Sequence, residues 1–177
     1  IDKEYFLQYD GPKLSYCTQP LADELFLFST PLLFQTTIEV AEINYFERNN
    51  TPYIFKTYFK ESICDFDVLA ACFYLVSRYE EYLPYVKDVH SRFKVEDSLA
   101  YKRGFLLKPV VNIWVNELKN TIVNRYPELS TQNNHYSYFN TIDIDSAYSY
   151  TCKGLTRNFL GFTRDLLKGN ISLCLER

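Results

Sequence analysis

The sequence predicts a mixed α/β protein. A mixed α+β N-terminal domain spans roughly residues 1–130, and from about residue 136 to 177 the first β-α unit of a truncated (β/α) barrel follows. Three observations carry this reading. Short apolar runs broken by turn residues fill the first sixty positions, and two long helical patterns lie between 65 and 126. A strand pattern then leads into an amphipathic helix over 154–168. With 47% hydrophobic and 23% charged residues, a chain of 177 residues has enough apolar surface for a core of its own.

Asp10-Gly11-Pro12 is a turn signal ahead of a strand over 13–17. Strand-like runs at 24–28 and 32–34 flank Pro31, and 42–46 leads into the Asn-Asn-Thr-Pro turn at 49–52. Residues 53–59 read as a further strand. The period then changes. Leu69, Cys72, Val76, Tyr79 and Leu83 recur at helical spacing, with Asp65 placed to cap the first turn and Pro84 to stop the last. Residues 68–76 are apolar nearly all round, which predicts burial, whereas Ser77 to Glu81 form a polar end facing solvent or a neighbouring domain.

A loop containing His90 and Arg92 follows, ending near Gly104. Pro109 opens a second long helix with Val111, Val115, Leu118 and Ile122 as its stripe and Trp114 beside them as a core anchor; Pro127 ends it. Residues 130–135 form a polar, unpatterned linker. Residues 136–145 read as a strand, and the helix over 154–168 turns Leu155, Phe159, Phe162 and Leu166 inward before Gly169 stops it.

Charge and cysteine usage narrow the function classes. A formal net charge of −3, with no cluster of Lys or Arg, excludes a large nucleic-acid footprint. The five cysteines are odd in number, scattered and free of Cys-x-x-Cys, a pattern of reduced thiols in a cytoplasmic protein and not of a disulfide framework or zinc knuckle. No apolar run is long enough to span a bilayer, and no signal peptide is visible. There is no methionine, so the chain reads either as a fragment of a longer protein or as a sequence from which methionines are missing.

Asp143 and Asp145 are the residues richest in chemical implication. On a strand, alternate side chains share a face about 6.6 Å apart. Ile142 and Ile144 would thus point to one side, and both carboxylates to the other at the carboxyl end, where parallel α/β folds place ligands. Two carboxylates near a buried edge repel and lose hydration, so they call for a partner. A cation could take one as ligand while the other serves as base toward water; taken by itself, the Asp-x-Asp pair is explained better by a structural turn.

Several segments, in order, carry a resemblance. They are residues 66–83 (FDVLAACFYLVSRYEEYL), 88–93 (DVHSRF), 98–106 (SLAYKRGFL) and 141–145 (TIDID). Together they resemble bacterial proteins, common in Bacteroidetes, that join a poorly understood N-terminal domain to a polysaccharide deacetylase (NodB-homology) domain. Those proteins usually carry Gly where Ser91 stands here.

The resemblance implies a metal-dependent hydrolase that removes acyl groups from a polysaccharide or other glycan. Asp143 would be the catalytic base and Asp145 a ligand to a divalent metal, zinc by preference. The family's His-x-x-x-His motif, which supplies two more ligands, is absent, since His90 and His135 are the only histidines. A catalytic zinc site normally has three protein ligands, so the chain by itself is expected to be inactive.

Other classes stay open. The chain could be a non-catalytic module that binds a partner or glycan. An Asp-x-Asp phosphatase would use Asp143 as nucleophile and Asp145 as acid, though such enzymes usually want Thr or Val where Ala147 stands. An Asp-x-Asp glycosyltransferase would need a nucleotide-binding half before the motif. Glu80 and Glu81 could make a carboxylate site, and His90 with Arg92 an anion site, although a solvated helix end and a surface loop explain them as well.

Overall fold

The computed structural model describes residues 2–129, 136–143 and 154–171. The chain divides into two compact units, Ile1–Gln132 and Asn133–Arg177. Among the described residues the architecture is mixed α/β, with helices and two small two-stranded sheets and no closed barrel.

The first unit opens with a helix that the strand-and-turn reading of this region missed. Helix α1, Lys3–Gln8, is one and a half turns long and is started by Asp2, whose side chain accepts from the Glu4 N–H. Strands β1, Leu14–Cys17, and β2, Leu25–Phe28, then pair in parallel, Leu14 opposite Leu25 and Cys17 opposite Phe28. Parallel neighbours usually need a long crossover. These strands are short enough, about 13 Å each, for the extended reach of residues 18–24, about 24 Å, to bring the chain back.

The expected strand at 32–34 is a 3₁₀ turn, Pro31–Phe34, because Pro31 presets the helical φ and cannot donate to a ladder. Strands β3, Phe46–Arg48, and β4, Thr51–Tyr53, form an antiparallel hairpin. Its loop residues Asn49 and Asn50 have φ of 51° and 61°, the left-handed pair that a two-residue hairpin demands and asparagine tolerates. Beyond Tyr53 the expected strand is reduced to a single bridge between Lys56 and Phe66.

Helix α2, Val68–Val76, starts at Asp67 and not at Asp65. Asp67 accepts from the Ala70 N–H, whereas Asp65 faces outward to pair with Arg48. Its buried face is Val68, Ala70, Ala71 and Tyr74, with Leu69 and Cys72 partly buried and Val76 exposed. The helix also ends earlier than Pro84 would require: Ser77 donates back to the Phe73 carbonyl, Arg78 turns left-handed at φ 54°, and a 3₁₀ turn, Tyr79–Tyr82, follows.

Another short 3₁₀ turn, Val95–Asp97, precedes α3, Leu99–Lys102, which Ser98 caps. Gly104, at φ 70°, closes α3: its N–H reaches the Tyr101 carbonyl while the Phe105 N–H reaches Ala100. That C-terminal motif buries Phe105 in the core.

Helix α4, Val110–Arg125, begins after Pro109 and buries Val110 and Trp114, leaving Val115 on the surface. Trp114 is the core anchor that its sequence position suggested. Its ring lies 6.2 Å from Tyr53 and 5.7 Å from Phe66, and its indole N–H donates 2.9 Å to the Pro52 carbonyl. The β3–β4 hairpin and the two long helices thus share one aromatic core.

In the second unit, the described residues 136–143 are irregular and exposed and not a strand. A strand exists by pairing, and no described segment pairs with this one. Helix α5, Leu155–Leu167, does form and is closed by Gly169 at φ 75°, but Leu155, Phe159, Phe162 and Leu166 are exposed and not turned inward.

Candidate functional site

The two aspartates singled out by the sequence receive different treatment. Asp143 is exposed at the end of the irregular segment, and Asp145 lies outside the described residues. Among the described residues no three His, Cys, Asp or Glu side chains gather as a metal-binding group.

His90 and Arg92 sit in a tight loop organised by Asp88, whose carboxylate accepts from the N–H groups of both. Those N–H groups, that of Arg92 foremost, hold the Asp88 carboxyl below its usual range, and the Arg92 side chain pairs with it at 3.6 Å. Arg92 is therefore engaged, and nothing here assembles an anion site.

Two clefts of the first unit each gather several charged side chains. One is a polar cleft of about 520 Å³ beside the hairpin, lined by Arg48, Cys64, Asp65 and Glu117 among others. Arg48 forks across it, 2.9 Å from Asp65 and 2.9 Å from Glu117, and lies over the Tyr53 ring, whose hydroxyl donates 2.6 Å to Glu117. One guanidinium thus engages two carboxylates, with the Tyr53 hydroxyl as a further donor. Burial, with the negative charges of Asp65 and Glu117 behind it, pushes the Cys64 thiol up to about 11, so the cleft holds no ready nucleophile.

The other is a cleft of about 250 Å³ where α2 ends. Tyr74, Leu75, Phe93, Val95 and Leu106 supply apolar wall, and Arg78, Glu80, Glu81 and Ser98 supply polar groups. The left-handed Arg78 builds it, since breaking the helix there lets the Tyr79–Tyr82 turn bring Glu80 toward α3. Glu80 Oε1 accepts 2.8 Å from the Leu99 N–H, and burial raises this carboxyl above its ordinary range. Arg78 pairs with Glu81. Tyr74 is only 4% exposed, and burial together with the nearby Glu80 charge raises its phenol well above the ordinary value.

The expected solvated end of the helix is therefore half of a cleft. The sequence pointed to Glu80 but not to Tyr74. The available signal was Ser77 four residues after Phe73, where a hydroxyl able to bond the helix's own carbonyl marks an early stop.

A family model described as a family of unknown function, DUF7033, matches residues 1–127. The chain belongs to this family. No curated protein and no solved structure matches the chain. The DUF7033 segment contains both clefts and the whole aromatic core, and ends just past α4. Asp143 and Asp145 lie beyond it. No helix among the described residues is long and apolar enough to cross a membrane.

Proposed function

We propose that this chain is the N-terminal portion of a metal-dependent polysaccharide deacetylase of the cytoplasm, and that it is inactive by itself. The observation that carries the reading is the Thr-Ile-Asp-Ile-Asp run at 141–145, placed after the segments at 66–83, 88–93 and 98–106 in the order of the deacetylase-containing proteins the chain resembles. Helix α5 supports it. The exposed Leu155, Phe159 and Leu166 are the kind of face that the sheet of a (β/α) barrel covers, as expected if α5 is the first helix of that barrel.

In this reading Asp143 takes the proton from the water that attacks the acyl carbonyl of the glycan, and its exposure leaves it free to do so. Asp145 would be one ligand of a divalent metal, preferably zinc, in the complete protein. Among the described residues the donors of this chain do not make up the three protein ligands of a catalytic zinc site. The free thiols Cys17, Cys64 and Cys72 fit a reducing compartment.

Calorimetric zinc titration of this chain and of the complete protein, each with and without Asp145→Ala, tests the reading. Zinc binding by the complete protein alone, lost on substitution, is the expected result. Absence of binding in both, or indifference to the substitution, overturns it.

A further inference from the structure

Glu80 lies in a cleft but makes no ion pair there among the described residues. No lysine or arginine of these residues forms an ion pair with Glu80: Arg78 is held by Glu81 at the rim, and the ammonium of Lys102, whose charge is felt at Glu80, donates to the Asp97 carbonyl. One carboxylate oxygen is engaged by the Leu99 N–H, leaving the other without a protein partner. The Tyr74 hydroxyl is also without a protein hydrogen bond, although Tyr74 is 96% buried (4% exposed) and lines the same cleft. A half-buried anion and a hydroxyl in one cleft, with Leu75, Phe93, Val95 and Leu106 as apolar wall beside the polar Arg78, Glu81 and Ser98, suit a donor that brings positive charge and an apolar body.

We propose that this cleft binds a small primary ammonium ion, whose N–H groups donate to Glu80 and Tyr74 while its hydrocarbon stem lies against Leu75, Phe93, Val95 and Leu106. An ammonium has three donors and no acceptor, which suits two acceptors and no unengaged cation. A cleft of about 250 Å³ suits a short alkylamine or a single lysine side chain. The inference concerns the DUF7033 segment alone and stands apart from the aspartate pair.

The test is a titration of the whole chain followed by amide NMR, reading the Leu99 N–H that Glu80 accepts. The probes are n-butylammonium, its neutral counterpart 1-butanol, and Nα-acetyl-lysine N-methylamide. Butylammonium is expected to saturate the Leu99 shift, with 1-butanol at least tenfold weaker, and Glu80→Gln to weaken butylammonium at least tenfold. Tyr74→Phe, which keeps the ring in the core, should weaken it about threefold and keeps the test decisive if Glu80→Gln disturbs the fold. Equal binding of the amine and the alcohol, no saturable shift, or undiminished binding in a folded variant overturns the proposal. Tighter binding of the lysine derivative by tenfold or more assigns a protein lysine as the occupant; otherwise a free amine is assigned.

Discussion

The phenol of Tyr16 donates a 2.8 Å hydrogen bond to Oδ2 of Asp67, a carboxylate only 1% exposed. The same oxygen accepts from the Thr30 N–H at 2.6 Å and the Thr30 hydroxyl at 2.7 Å, while Oδ1 accepts the Ala70 N–H at 3.0 Å. One side chain thereby ties β1, the start of the Pro31–Phe34 turn and the first turn of α2. A buried carboxylate is tolerable only with such a full set of donors.

Asp67→Ala is therefore expected to destabilise the chain by about 3–5 kcal/mol, since it strands several buried donors at once. Tyr16→Phe removes one charge-assisted bond and should cost about 1.5–3 kcal/mol. Urea denaturation measures both. If each variant lay within half a kcal/mol of wild type, about the spread of ordinary surface changes, the knot would not be structural.

Trp114 is the sole tryptophan and is fully buried, so its fluorescence reports on the core of the first unit alone. The native chain should emit at short wavelength and shift to the red in a single transition on unfolding. Trp114→Ala should cost about 3–5 kcal/mol through the cavity it leaves, and it also orphans the Pro52 carbonyl. Emission at the wavelength of free tryptophan in the native chain would contradict the burial.

What the sequence revealed and what it concealed divide by distance along the chain. The Asn49-Asn50 turn, the stop at Gly169 and the anchoring role of Trp114 follow from local chemistry, so they were legible. The cap of α2 was not, because Asp65 and Asp67 are equally good candidates locally. Tyr16 and Thr30, far away in sequence, decide for Asp67, and Arg48 claims Asp65. The early end of α2 had a local mark in Ser77, which bonds the Phe73 carbonyl, but the contact it leads to, Glu80 with the Leu99 N–H, was not legible. The strand expected at 136–145 failed over its described residues for a related reason, since alternation proposes a strand but only a partner makes one.

Ser91 has φ 62°, in the left-handed region where a side chain is strained. Glycine, with no Cβ, adopts that conformation freely. Ser91→Gly should stabilise the chain by about 0.5–1 kcal/mol, the relief of side-chain strain exceeding the added flexibility of the unfolded chain. Thermal melting of the variant against wild type checks it, and a lower melting temperature would show that the serine contributes more than its conformation costs.

Cys64 supplies a pH dependence with a definite sign. Its thiol stands at about 11 in the folded chain against an ordinary value of 9.0. Burial, the largest cause, favours the neutral form. A group raised on folding contributes stability that is fully present below its unfolded value and is lost as pH climbs through its folded one. The Cys64 contribution should thus be intact at neutral pH and decline from about pH 9 to about pH 11. Cys64→Ala, which cannot ionise, should show a shallower fall over that window when both proteins are unfolded in urea at a series of pH values. Because the reactive species is the thiolate, Cys64 should also be alkylated slowly at pH 8 in the native chain and quickly after denaturation, as peptide mass spectrometry can follow. Rapid native labelling of Cys64 at pH 8 would mean that the wall of the Arg48 cleft opens in solution.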